Sequence, residues 1–251
     1  YGDGETFVGS DALALAPLTN RIAYLEEGDH AVLTREQIEI FDADGAPVTR
    51  TLHTVALENF QAEKGLYKHF MAKEIHEQPG VLADALARYL TPDRAAVRLP
   101  VPVDFTSASR IVLVACGTAH YACHVAKYWF ERFARLPVEI EVASEFRYRE
   151  PPLDAGTLGI FVSQSGETAD TLAALRYVKA TGGRTVAVVN VETSTIARES
   201  EVALPILAGP EIGVASTKAF TCQLAVLAAL AITAGRQRGT LDAAEETRLS
   251  T

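Results

Sequence analysis

The sequence predicts an α/β protein whose parallel β-sheet is covered by helices on both faces. Between residues 107 and 236, apolar runs of strand length alternate with longer runs whose apolar residues have helical spacing. Strands and helices that alternate in this way form parallel sheets, because a parallel strand pair needs a crossover connection. The strand-like runs are also rich in apolar residues, which is typical of strands that are buried on both faces.

Five strands and three long helices are predicted in this region. The predicted strands are residues 110–115, 137–142, 158–162, 184–190 and 201–206. The predicted helices are residues 117–133, the amphipathic run that ends near Thr181, and residues 216–234. Because ligands of such sheets bind outside the carboxyl ends of the strands, the site is expected in the loops that follow the strands.

Residues 1–55 have the character of short β-strands. The strand-like runs are residues 6–8, 21–25, 31–34 and 37–41, and the last of these alternates polar and apolar side chains. Asp42-Ala43-Asp44-Gly45 then predicts a hairpin turn, after which residues 46–49 return. A segment of this size buries little core on its own, so we expect it to be the edge of a larger sheet.

Residues 56–99 change to helical spacing. Residues 64–78 place Leu66, Phe70 and Ile75 among charged side chains, and residues 81–90 place leucines on one face. Pro79-Gly80 lies between the two runs and predicts an interruption, so we expect two helices here.

The composition excludes several kinds of partner. The 251 residues carry a formal net charge of −9 with a pI of about 5.2, so no basic face for nucleic acid is expected. The longest apolar stretch, residues 224–234, is shorter than the roughly 20 residues of a membrane helix, so no membrane partner is expected. Three cysteines without disulfide-like spacing favour a reducing compartment, and we expect a cytoplasmic protein. Because the chain begins at Tyr1 rather than at a methionine, we also expect it to be a fragment or a processed product of a longer protein.

The segment 157–182 carries the clearest functional pattern. An apolar run meets Ser163-Gln164-Ser165-Gly166-Glu167-Thr168, and a helical run follows. A strand, a tight polar turn and a helix aim unpaired backbone N–H groups at an anion, and the hydroxyls and the amide add donors. The pattern therefore indicates a phosphate cradle, although serine and threonine also begin helices as ordinary N-caps.

Two further loops are predicted at the same edge of the sheet. They are Cys116-Gly117-Thr118-Ala119 and the segment 213–218, and both are rich in hydroxyl groups. Three converging loops favour an anion site over a single capped helix. None of them matches a Walker loop or a GxGxxG fingerprint, so no nucleotide is indicated. Lys218 would either add charge to this site or lie on a helix face.

Cys116, His120, Cys123 and His124 share one predicted helix start. The i, i+4 spacing of the two histidines can bind a metal. We favour a structural role, because Cys116 ends a buried strand, and we expect neither a metal nor a cofactor. Cys116 is not expected to be a nucleophile, since no positioned base is identifiable.

Several runs closely resemble the glutamine–fructose-6-phosphate aminotransferases (isomerizing), also called glucosamine-6-phosphate synthases. The runs are SQSGETADT at 163–171, ASEFRYR at 143–149, EIGVASTKAF at 211–220, ACGT at 115–118, KYWFE at 127–131 and EIHEQP at 74–79. The resemblance covers essentially the whole chain, and the motifs occur in the same order.

The resemblance implies a domain organisation. Residues 100–240 would be a SIS-type (sugar isomerase) domain, a three-layer αβα sandwich with a parallel sheet. Residues 1–55 would be the C-terminal remnant of an N-terminal-nucleophile glutaminase domain, residues 56–99 the linker and lead-in helices, and residues 241–251 the start of a linker to a second SIS domain. The nucleophilic cysteine and the second SIS domain would lie outside this chain, so no catalytic residue is expected within it.

The resemblance also implies a substrate site. The residues expected to bind the sugar phosphate are Thr118, Ser163, Gln164, Ser165, Thr168, Val214 and Ser216. Four of them, Ser163, Gln164, Ser165 and Thr168, would hold the phosphate, and Thr118 would belong to the same pocket. The last two would contact the sugar through backbone and hydroxyl groups. The family often has serine where Ala119 stands, so a hydroxyl contact would be lost there and a backbone contact kept.

The implied activity is conversion of D-fructose 6-phosphate and L-glutamine to D-glucosamine 6-phosphate and L-glutamate, for amino-sugar biosynthesis and without a cofactor. We expect a homodimer, and we expect the isolated chain to bind the sugar phosphate but to be inactive. The alternative is a non-catalytic SIS module of a phosphosugar-sensing regulator. The glutaminase-like residues 1–55 and the EIHEQP run favour the enzyme.

Overall fold

The computed structural model describes residues 1–9, 15, 18–35, 37–54 and 64–251. The chain forms two compact units, Tyr1–Glu63 and Lys64–Thr251. The predicted start of the linker, at residues 56–63, lies outside the described residues.

The described residues of the first unit form two small antiparallel sheets. β1 (Arg21–Ala23) pairs with β5 (Leu52–Thr54), and β2 (His30–Leu33) pairs with β3 (Ile38–Phe41), which pairs with β4 (Pro47–Val48). The predicted hairpin after β3 is confirmed, and its Gly45 has a φ of +80°. The prediction of a strand at residues 6–8 is wrong. Val8 is exposed, so this run buries no continuous face that would hold a strand in a sheet.

The second unit is built on a five-stranded, entirely parallel sheet, as predicted. Its strands are β6 (Arg110–Ala115), β7 (Val138–Val142), β8 (Thr157–Ser163), β9 (Arg184–Val189) and β10 (Val202–Pro205), in the order β10-β9-β8-β6-β7. The central strand β8 is buried at every position, which explains why its sequence is almost continuously apolar.

Helices cover both faces of this sheet and complete the three predicted layers. They are α1 (Phe70–Tyr89), α2 (Gly117–Phe133), α3 (Ala143–Arg149), α4 (Ala169–Ala180), α5 (Thr195–Glu199), α6 (Lys218–Gln237) and α7 (Ala243–Ser250). One core joins α1, α2 and α6 to one face, where Leu113 of β6 is buried. A second core joins α3, α4 and α5 to the opposite face, where Val112 is buried. Successive residues of β6 thus enter different cores, as the alternation along a strand requires.

The predicted interruption at Pro79 is wrong, because α1 runs continuously through it. Proline has no N–H, so the carbonyl of Ile75 loses its intrahelical donor. The side chain of Gln78 supplies a substitute, since its Nε2 donates to the oxygen of Ile75 at 3.1 Å. Burial of Ala85 and Tyr89 in the core then stabilises the second half of the helix.

Residues 241–251, for which the resemblance implies the start of a linker, contain the helix α7 (Ala243–Ser250). The Asp242 side chain caps this helix by accepting from the N–H of Glu245 at 2.8 Å. Glu246 ties it to the rest of the unit through the N–H of Val97 at 2.9 Å and Arg236 at 2.8 Å. Within the described residues, only α6 is long and apolar enough by composition to cross a membrane. Because 67% of its most apolar 18-residue stretch is buried inside the fold, α6 has the character of a core helix.

Candidate ligand-binding cleft

An open cleft of about 490 Å³ lies at the carboxyl ends of β6 and β8. β7 follows β6 in the chain and lies on one side of β6 in the sheet. The next strand, β8, lies on the other side of β6. Loops diverge at such a switch point, and this is where parallel α/β sheets bind ligands.

Three loops line the cleft, and they bring all the predicted site residues together. The lining includes Thr118, Ser163, Gln164, Ser165, Thr168, Val214 and Ser216, and also Cys116, Gly117, Ala119, Val162, Glu211, Gly213, Ala215 and Gln223. The sequence-based expectation of three converging loops is therefore met. Whether each residue contacts a ligand stays a prediction.

The loop between β8 and α4 is held in a tight turn by its own hydroxyl groups. The Oγ atom of Ser163 accepts from the N–H of Gly166 at 3.0 Å and lies 3.0 Å from the Oγ1 of Thr168. Gly166 has a φ of +67°, and a Cβ atom there would lie 1.9 Å from the Oγ of Ser194. Only glycine fits this position, because both the backbone conformation and the space exclude a side chain.

The helix α4 begins at this loop without a side-chain cap. Thr168 is its N-cap residue, but its side chain makes no capping hydrogen bond and pairs with Ser163 instead. The alternative that this turn is only an ordinary N-cap is therefore not supported. Cys116, the N-cap residue of α2, likewise makes no side-chain cap. Two helix N-termini, with their unpaired N–H groups and positive dipole ends, thus face the cleft.

The acidic residues near α4 are engaged elsewhere. The Oε1 of Glu167 accepts from the N–H of Thr195 at 2.7 Å, at the start of α5. Asp170, in the first turn of α4, forms an ion pair with Arg147 at 2.9 Å. Neither carboxylate lines the cleft, so neither opposes an anion bound at the start of α4.

The third loop differs from the other two, because its donors are already bound to Glu211. This carboxylate accepts from the N–H of Thr217 at 2.8 Å, the N–H of Ala219 at 3.2 Å and the Oγ of Ser216 at 2.9 Å. Glu211 therefore caps α6, and the dipole of α6 faces a protein carboxylate. The end of the cleft beside α2 and α4 is the one that suits an anion.

Lys218 does not supply charge to the cleft. Its side chain is buried, and its Nζ pairs with Glu77 at 2.7 Å. Burial disfavours the ionised carboxyl of Glu77, but the hydrogen bond and charge of Lys218 prevail and lower the pKa of Glu77. Among the described residues no lysine or arginine lines the cleft. An anion would be held there by neutral donors and helix dipoles.

The cysteines and histidines of α2 do not assemble a metal site. Cys123 is fully buried in the core, where burial raises its pKa to about 12. The Nε2 atoms of His120 and His124 lie 3.1 Å apart, and burial, followed by the charge of His124, lowers the pKa of His120. Within the described part of the chain, no three His, Cys, Asp or Glu side chains are placed to ligate one metal ion.

Sequence reasoning missed three residues of this region. Glu211 belongs to the EIGVASTKAF run, but it lies six residues before Thr217, the N-cap residue of α6, so no local capping pattern indicates its role. Gln223 lines the cleft and is buried, and its Oε1 has no hydrogen-bond partner among the described residues. Glu74 binds the third loop across 138 residues of sequence, a separation for which no local pattern exists.

The fold and the cleft define a class: an α/β domain with an open cleft, lined by hydroxyl groups and helix N-termini, at the switch point of a parallel sheet. A family model described as the SIS domain matches residues 104–233, just over half of the 251 residues. The chain belongs to the SIS-domain family.

Curated relatives are similar over almost the whole chain. A glutamine–fructose-6-phosphate aminotransferase (isomerizing) from Bradyrhizobium diazoefficiens is 65% identical over 99% of this chain and 41% of its own length. A protein of the same name from Zymomonas mobilis is 59% identical over 98% of this chain and 41% of its own length. The chain thus spans about two fifths of the length of these relatives.

Solved structures show the same fold. The C-terminal domain of glucosamine–fructose-6-phosphate aminotransferase from Francisella tularensis has a TM-score of 0.71 and 39% identity, and the match covers 75% of this chain and 54% of that one. A glucosamine-6-phosphate deaminase from Thermotoga maritima has a TM-score of 0.56 at 23% identity, with 72% and 51% covered. The second likeness shows the fold alone.

Proposed function

We propose that this chain is the sugar-phosphate-binding part of an enzyme that makes D-glucosamine 6-phosphate from D-fructose 6-phosphate and L-glutamine. The names of its close relatives support this activity. The observation that carries the proposal is the cleft, where α2 and α4 begin without side-chain caps and beside hydroxyl groups. Such an arrangement binds a phosphate group without a protein cation.

The phosphate would lie at the start of α4. Ser163, Gln164, Ser165 and Thr168 would surround it, with Thr118 at the start of α2 on the opposite side of the same cleft. The Oγ of Ser165 accepts from the N–H of Glu167 at 3.2 Å, so its own proton is directed elsewhere and is available to a phosphate oxygen. Backbone N–H groups of the first turn of α4 would add the remaining donors.

The sugar would extend toward the third loop. Val214 is fully exposed there, so its backbone is open to a ligand, and Ser216 lines the same cleft. The Ser216 hydroxyl donates to Glu211, and its lone pairs are left to accept from a sugar hydroxyl. Ala119 has no hydroxyl group, so it would contact the ligand only through its backbone, which lies in the first turn of α2.

The chemistry would need groups from outside this chain. Ammonia derived from glutamine would condense with the C2 carbonyl of the open-chain ketose and release water, which gives an imine. A 1,2 proton shift from C1 to C2 would then give the 2-amino aldose, with acid–base groups and no cofactor. We assign residues 1–55 to the end of a glutaminase domain, 56–99 to a linker with lead-in helices, 100–240 to a first SIS domain and 241–251 to the start of the connection to a second. We expect the isolated chain to form no glucosamine 6-phosphate, and detectable product would contradict this assignment.

A cytoplasmic homodimer is the assembly that we propose. The α2 helix leaves Tyr121, Val125 and Tyr128 exposed, and their i, i+4, i+7 spacing places them on one face. Exposed aromatic side chains on one helix face are typical of protein–protein interfaces.

Calorimetric titration of the chain with fructose 6-phosphate tests the binding site. We expect Ser165→Ala and Thr168→Ala each to weaken binding by about tenfold, because each removes a hydrogen bond to a charged group. Thr181→Ala, at the other end of α4, is the matched control and should bind as the wild type does. Unchanged affinity in both cleft variants would remove the proposed site.

A further inference from the structure

We propose that Glu74 of α1 is a positioning residue for the sugar-binding side of the cleft. Its carboxylate holds the backbone of residues 212 and 213, and thereby sets where Val214 meets the substrate. This inference rests on the proposed function, since it assigns the third loop to the sugar rather than to the phosphate.

Glu74 is a buried acid whose hydrogen bonds are made with the third loop. Only 2% of the residue is exposed. Its Oε1 accepts from the N–H of Ile212 at 2.6 Å and from the N–H of Gly213 at 3.0 Å, and its Oε2 lies 3.2 Å from the same Gly213 nitrogen. A buried carboxylate is costly unless it is fully hydrogen-bonded, so these bonds fix the loop firmly to α1.

The fit between Glu74 and the loop leaves little room for displacement. A Cβ atom on Gly213 would lie 2.5 Å from the Oε2 of Glu74. Gly213 therefore permits the close approach of the carboxylate to the backbone, and any side chain there would push the two apart. The glycine just before Val214 is explained by this contact.

Two neighbouring contacts keep α1 in register with the loop and with α6. Glu77 forms an ion pair with Lys218 at 2.7 Å, and the Oε1 of Gln78 accepts from the Oγ1 of Thr221 at 2.6 Å. Glu74, Glu77 and Gln78 have i, i+3, i+4 spacing, so all three lie on the face of α1 that meets the start of α6. The EIHEQP run therefore has a role at the cleft, although it does not line it.

The phosphate side of the cleft is built independently of α1. Ser163, Gly166 and Thr168 are held by each other, and Glu167 is held by α5. A change at Glu74 should therefore alter the recognition of the sugar and leave the recognition of phosphate intact. A merely structural role for Glu74 would affect both alike.

The test compares two ligands, fructose 6-phosphate and inorganic phosphate, on the 251-residue chain. We expect Glu74→Ala to weaken binding of fructose 6-phosphate by about tenfold or more, and to change binding of inorganic phosphate by less than about twofold. Glu74→Gln keeps an acceptor at Oε1 and should recover most of the lost affinity. Asp84→Ala, which removes an exposed carboxylate from the same helix, is the control and should change neither.

Amide hydrogen exchange of Ile212 and Gly213 provides a readout without ligand. Both amides should be protected in the wild type and exchange faster in Glu74→Ala, while the amides in the middle of α6 keep their protection. Equal exchange in wild type and variant, or equal loss of both ligands, would overturn the positioning role. If the wild type shows this protection but binds neither ligand, the proposed function fails while the contact itself stands.

Discussion

At the scale of single residues, the cleft depends on backbone positions that only particular side chains allow. Gly166 combines a φ of +67° with a Cβ direction that is blocked by Ser194. The hydroxyl groups of Ser163 and Thr168 then close the turn. These contacts are local, and they hold the loop in the conformation that the proposed phosphate site requires.

Glycine is required at residue 166 both by its positive φ and by the lack of space for a Cβ atom. Comparing Gly166→Ala with Gly182→Ala separates the two requirements, because Gly182 has only the first. Gly182 has a φ of +82° with nothing within 4 Å of an added Cβ, so its substitution should cost only the conformational term, about 1 kcal/mol. Gly166→Ala adds the clash with Ser194 and should cost about 2–4 kcal/mol of unfolding free energy. Denaturant titration of both variants measures the difference, and equal losses would show that the loop relaxes freely around Ser194.

Glu77 makes the stability of the folded chain depend on pH in the acid range. Because Lys218 lowers the pKa of Glu77 below its ordinary 4.5, the folded chain binds this proton less tightly than the unfolded chain. The resulting stabilisation is present above pH 4.5 and is lost as the pH falls through the lowered pKa. Glu77→Gln should flatten the dependence of stability on pH in this acid range, and thermal unfolding between pH 3 and pH 6 measures it. An unchanged slope would show that the pair does not contribute.

At the scale of elements, α1 shows how tertiary contacts override a local helix breaker. Pro79 predicts two helices, and the structure has one. Gln78 acts twice at this point, since its Nε2 donates to Ile75 and its Oε1 accepts from Thr221. The helix is therefore completed by a side chain that also joins it to α6.

Pro79→Ala should raise the unfolding free energy by about 1–3 kcal/mol, because an alanine N–H can reach the carbonyl of Ile75 without the steric cost of the proline ring. Gln78→Ala should then cost less in the Pro79→Ala background than in the wild type, since Ile75 keeps a donor. Chemical denaturation of the four chains forms a double-mutant cycle. If the effects of the two mutations on the unfolding free energy are additive, the Gln78 side-chain amide does not replace the N–H that Pro79 lacks.

At the scale of the whole molecule, the repeating pattern of strands and helices was enough to predict the sheet. The strand predicted at residues 110–115 is β6 itself, and the strand predicted at 158–162 is the interior of β8. The carboxyl ends of parallel strands lie at one edge of a sheet, so the edge that holds the cleft could be predicted from the sequence. The order of the strands, which places the loops after β6 and β8 side by side, is known only from the structure.

The sequence could not predict the contacts between residues that are distant in the chain. It therefore could not show which charged side chains are paired with each other and which line the cleft. The bond from Glu74 to Ile212 spans 138 residues, and the one from Lys218 to Glu77 spans 141. The sequence therefore left open whether Lys218 faces the site. The helix α3 is only 7 residues long, too short for its periodicity to be read from the sequence.

The central claim is that the cleft binds a sugar phosphate with the phosphate at the start of α4, and a crystal structure of the chain with fructose 6-phosphate tests it most directly. We predict that the phosphate oxygens lie within hydrogen-bond distance of the Ser165 and Thr168 hydroxyls, with the sugar directed toward Val214. A phosphate bound beside Glu211 and Ser216, or bound outside the cleft, would contradict it.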